Sequence, residues 1–143
     1  MVGIRSWIAV ALPILGMPVL AQERPAEMKL TQRYLEPVCL DGAPVKAGDR
    51  NWKLGVGAHT LALTMRNDPR SGVEVKGASG VAEVSFTLEA AHTYEVEVRA
   101  STTAFSTRVW ERGEWSPVVR DRTADRIISA EPRWRDSGCV APR

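Results

Sequence analysis

From Ala82 to Arg99 every second residue is apolar over most of the span. Ala82, Val84, Phe86 and Leu88 alternate with Glu83, Ser85, Thr87 and Glu89, and after Ala90-Ala91 the beat resumes as Tyr94, Val96 and Val98 against Glu95, Glu97 and Arg99. Successive side chains of a strand point to opposite faces, so this pattern describes strands with one packed and one wet side. Leu61, Leu63 and Met65 against Thr60, Ala62, Thr64 and Arg66 repeat it. Turn signals separate the runs: Asp41-Gly42 between Val38-Cys39-Leu40 and Ala43-Pro44-Val45, a loop from Gly48 to Asn51, Pro69 within Asn67 to Gly72, and Gly77 to Gly80. Short strands are expected at Val73 and Val75, Phe105 to Glu111, Trp115 to Arg120 and Arg126 to Ser129. After Gln22 the one stretch with any helical character is Ala26 to Leu35, where Pro25 could open a helix but Met28, Leu30 and Tyr34 fit a strand as well. Seven or eight short strands at about ten-residue spacing predict an all-β antiparallel sandwich, with a small barrel as the competing architecture.

The first 21 residues stand apart. Arg5 precedes an apolar run from Trp7 to Leu20, and Val19-Leu20-Ala21 ends it with small residues where a signal peptidase needs them. Pro13, Gly16 and Pro18 interrupt the run, which argues against a retained membrane span. The expected organisation is a cleaved signal peptide over 1–21, an N-terminal segment over 22–37 and a β-sandwich over 38–143. Cys39 and Cys139 are then an even pair in an exported chain, which reads as one disulfide tying the C-terminal tail to the first strand. Removing Arg5 from 19 basic residues leaves 18 against 17 acidic, with the signs interspersed. Nucleic-acid binding needs a clustered basic face, and none is visible.

Gly57 to Arg66 and Ala90 to Arg99 share four of ten residues, including the His-Thr of His59-Thr60 and His92-Thr93. Two copies fall short of a solenoid, and the simpler account is one local device used twice: a small-residue turn, a polar residue, then a strand. Asp41-Gly42-x-x-Val45, Gly57-x-His59-x-Leu61 and Phe86-x-x-x-Ala90-x-His92-x-Tyr94 together resemble the pattern of a group of small exported bacterial envelope proteins and lipoproteins of unknown function. The first two elements are distantly similar to the PEGA-type β-module. The resemblance spans about Val38 to Val119 and implies an immunoglobulin-like or related β-sandwich in the cell envelope. Val56 stands where the group has proline and Ala91 where it has glycine, and no lipid-acceptor cysteine follows Ala21. A periplasmic or secreted form is therefore expected.

His59 and His92 could begin a metal site if their strands were neighbours in one sheet, but no third ligand suggests itself and structural imidazoles are the simpler reading. Catalytic motifs are absent, and Glu83, Glu89, Glu95 and Glu97 lie on the patterned outer face, so no enzyme and no cofactor are expected. Trp110 and Trp115 flank Glu111 to Glu114, so a two-residue turn at Arg112-Gly113 would set the two indoles opposite each other. That pair is either packed, with Trp134 in the tail as cover, or exposed as a platform for a saccharide or a partner protein. The expected function is a non-catalytic envelope or binding module, with the Trp platform and the two-histidine metal site as alternatives.

Overall fold

Strands account for nearly all the regular structure. A computed structural model describes residues 24–46, 48–68, 70, 74–75, 80–100, 109–110, 115–136 and 138–139, and among them there is no helix. The expected signal peptide lies outside the described residues. In chain order the strands are β1 (Ala26–Lys29), β2 (Leu35–Leu40), β3 (Ala43–Pro44), β4 (Asn51–Leu54), β5 (Gly57–Met65), β6 (Glu74–Val75), β7 (Val81–Leu88), β8 (Thr93–Ala100), β9 (Val109–Trp110), β10 (Trp115–Asp121), β11 (Arg126–Ile127) and β12 (Arg133–Arg135).

One five-stranded sheet has the order β11-β10-β8-β1-β4 and the other β12-β7-β5-β2-β3, and β6 pairs with β9 in a separate ribbon. Pairing within the two large sheets is antiparallel except between β1 and β8, where Glu27 aligns with Thr93. The architecture is a β-sandwich. Its strand count exceeds expectation because β4 and β12 carry too few residues to show a periodic pattern, and because the segment 26–35 holds β1 and the first residue of β2, joined by an irregular turn, with no helix. Residues 24–37 are also not separate from the sandwich. β1 lies between β8 and β4 in the first sheet, and β2 begins at Leu35 in the second. The reason is burial: Ala26, Met28, Leu30 and Leu35 all face the core.

Alternation then fills the space between the sheets. Val84, Phe86 and Leu88 of β7 meet Leu61, Leu63 and Met65 of β5, and Tyr94 and Val96 of β8 close the other side. The outer face of β8 is charged, and Glu97 receives Nε of Arg120 at 3.0 Å. In β2 the register shifts between Pro37 and Cys39. A bulge of one residue reverses which side chains face inward, so Leu35 and Leu40 both address the main core while Cys39 turns outward to pack with Ala62 and Val81. Cys139 meets Cys39 there at disulfide distance, with Cα atoms 5.7 Å apart. The tail is held further by β12, whose Arg135 Nη1 donates to Glu83 Oε2 at 2.8 Å.

Candidate functional site

The two histidines occupy matching positions in opposite sheets, His59 within β5 and His92 immediately before β8. The condition for a shared His59–His92 metal site, neighbouring strands in one sheet, is therefore not met. Each ring instead clasps an aspartate at the bend of the hairpin beside it. His59 Nδ1 lies 2.7 Å from Asp41 Oδ2 and His92 Nδ1 lies 2.7 Å from Asp121 Oδ2. The sequence echo is thus a structural device used once in each sheet.

In the first clasp Asp41 and Gly42 both have positive φ, 52° and 77°, as a two-residue hairpin turn requires. Asp41 Oδ1 accepts the amide of Thr60 at 2.9 Å, and the amide of Asp41 donates to the Thr60 carbonyl at 2.8 Å. His59 Nε2 faces the Gly55 carbonyl at 2.7 Å. Both ring nitrogens therefore meet acceptors, and only the doubly protonated ring can donate to both. Burial alone would lower its pKa, but the Asp41 hydrogen bond, the Gly55 carbonyl and the charge of Asp41 together hold it above the usual imidazole value.

In the second clasp Asp121 is 1 % exposed. Its Oδ1 accepts the amides of Thr123 and Ala124 at 2.9 and 3.0 Å, which shapes the turn from β10 to β11. Burial would raise the Asp121 pKa, but the Ala124 amide, the hydrogen bond and charge of His92 and the Thr123 amide outweigh it and hold the carboxyl below its ordinary value. Glu89 joins this group, its Oε2 lying 3.4 Å from His92 Nδ1, and its amide donates to the Tyr94 hydroxyl at 2.7 Å. No site role was expected of Asp41, Asp121 or Glu89 from the sequence. Asp41 carried a signal as the first residue of a turn pair, whereas Asp121 and Glu89 sit in ordinary alternating positions.

In backbone register Trp115 aligns with Ala100 of β8 and Trp110 with Val75 of β6. The turn residues 111–114 lie outside the described residues. Trp115 is 1 % exposed and meets Trp134 edge-on, so it offers no ring face to a ligand.

An open cleft of about 640 Å³ lies where the C-terminal chain changes sheets. β11 pairs with β10 in one sheet and β12 with β7 in the other, so residues 128–132 cross the side of the sandwich. β12 covers β7 only at Val81 to Glu83, and beyond that a single bond, Ala130 N–H to the Ser85 carbonyl at 3.1 Å, ties the crossing chain to β7. Backbone groups two residues apart point to the same strand edge. The amide and carbonyl of Thr87 therefore share the edge of Ser85, facing away from β5, and have no partner among the described residues. Ser85, Phe86, Thr87, Ile127 and Ile128 line the cleft, together with His59, Glu89 and Arg126.

No protein-family model, no curated protein and no solved structure matches this chain.

Each ionisable group lining the cleft already has a partner. His59 pairs with Asp41, and Arg126 Nη2 lies 3.7 Å from Glu89 Oε1.

Proposed function

We propose that the protein is a non-catalytic binding module that works outside the cytosol and takes an extended segment of a partner protein along the free edge of β7. The observation that carries this reading is the unpaired backbone of Thr87 at the mouth of the cleft. A strand edge with unsatisfied amide and carbonyl groups is a template for a further strand, with hydrogen bonds supplying affinity and flanking pockets supplying selectivity. Ile127, Ile128 and Phe86 provide the apolar part of such a pocket. Engagement of His59, Glu89 and Arg126 in existing pairs supports binding rather than bond-making. A location outside the cytosol is supported by the leader-like residues 1–21, by the cysteine pair and by the resemblance to small exported bacterial proteins. The buried Trp115 counts against a saccharide platform built on Trp110 and Trp115.

Thr87→Pro tests the reading. Proline removes the outward amide, and because the Thr87 amide does not face β5 the ladder between β5 and β7 is spared. Wild-type protein incubated with envelope extract should retain a polypeptide and show slowed exchange of the Thr87 amide. The proline variant, with unchanged circular dichroism, should lose that polypeptide. Retention of every bound polypeptide by a folded Thr87→Pro variant would remove the edge from the account.

A further inference from the structure

We propose that Glu89, His92 and Asp121 form a binding site for a divalent transition-metal ion, with Zn²⁺ the best chemical match. One donor atom from each residue lies within 4.8 Å of the others. His92 Nδ1 stands between two carboxylate oxygens, 2.7 Å from Asp121 Oδ2 and 3.4 Å from Glu89 Oε2. One imidazole nitrogen with two carboxylate oxygens is a three-ligand set suited to Zn²⁺, with the fourth position left to water or a ligand. The Nδ1–Oδ2 separation of 2.7 Å is that of a hydrogen bond, and a shared ion would replace the proton and open it by about 0.6 Å toward about 3.3 Å, the ligand spacing of a tetrahedron with bonds near 2.0 Å.

The carboxylates are already oriented for this. Each uses one oxygen for structure and presents the other to the imidazole. Asp121 Oδ1 is held by the amides of Thr123 and Ala124, and Glu89 Oε1 faces Arg126 Nη2 at 3.7 Å. The Tyr94 hydroxyl takes the Glu89 amide, and the Tyr94 ring lies beside His92 at a centroid distance of 6.2 Å with 28° between planes. Outer contacts of this kind fix the geometry of metal ligands.

The first clasp serves as an internal control. His59 and Asp41 hold their hairpin with one carboxylate, and His59 Nε2 is taken by the Gly55 carbonyl. In the sequence echo Val56 occupies the place of Glu89. The second carboxylate is therefore not needed to clasp a hairpin. His92 differs again in that no described residue hydrogen-bonds its Nε2. Two acidic groups converge on one imidazole and are partly balanced by Arg126, which is 61 % exposed at its side chain. A cation at the centre satisfies all three.

Isothermal titration of Zn²⁺ into the purified, disulfide-bonded protein should saturate at one ion per chain. Glu89→Gln and His92→Gln should each weaken binding by about tenfold or more, while His59→Gln should leave it unchanged. Glu89 has an exposed side chain, so Glu89→Gln tests the site without unfolding the protein. In parallel, the ring resonances of His92 should shift with Zn²⁺ and those of His59 should not. Uptake that survives Glu89→Gln unchanged, equal loss in His59→Gln, or the absence of saturable uptake would each overturn the site. Tighter binding of Ca²⁺ than of Zn²⁺ would overturn the transition-metal assignment.

Discussion

Trp115 meets Trp134 edge-on, with ring centroids 4.9 Å apart and 86° between their planes. The contact joins the start of β10 to β12, so the tail is fastened to the sandwich by an aromatic pair as well as by the Arg135–Glu83 bridge and the cysteine pair. Edge-to-face geometry favours such pairs beyond the area they bury.

Trp115→Ala should therefore destabilise the fold by about 3–5 kcal/mol, the range for removing a large buried aromatic. Trp115→Phe should cost clearly less, because the Trp115 Nε1 has no hydrogen-bond partner among the described residues to lose. Urea unfolding followed by circular dichroism checks both values. Equal losses for the two variants would contradict a packing role for the ring.

Separating Cys39 from Cys139 frees a loop closed across 100 residues. Cys139→Ser combined with Cys39→Ser should lower stability by roughly 2–5 kcal/mol. It should also raise protease sensitivity in the tail before the rest of the sandwich. The measurement is urea unfolding of the double variant beside the oxidised wild type.

His59 gives the pH dependence. Its folded pKa lies above the usual value of 6.5. Its contribution to stability is fully present below that unfolded value and is lost as pH rises through the folded one. Unfolding midpoints measured from mildly acidic to mildly alkaline pH should fall over that window, and less so in His59→Gln. The His59 ring protons should report a titration displaced upward from that of a model peptide.

Ala91 has φ of 60°, in the left-handed region that side chains with a Cβ enter at a cost. Ala91→Gly should stabilise the protein by about 1 kcal/mol, the strain removed exceeding the flexibility glycine adds to the unfolded chain. The thermal midpoint checks the sign.

Period-two alternation at Ala82–Leu88, Tyr94–Val98 and Leu61–Met65 determined the strands and their buried faces, because a strand reports its environment at every second residue. The Asp41-Gly42 turn was legible for the same local reason, since its backbone conformation selects its residues. Cys39 and Cys139 could be paired because there were two. Local patterns say nothing of which strand lies beside which. Pairing β5 with β2 and β8 with β10 was a tertiary outcome, and it sent His59 to Asp41 and His92 to Asp121 rather than to each other. The same holds for Trp115, whose ring meets Trp134 of β12 across the sandwich. Among the described residues the edge of β7 at Thr87 has no strand beside it because the C-terminal chain crosses from one sheet to the other and reaches β7 only at Val81 to Glu83, an outcome of long-range packing that alternation within a single segment does not encode.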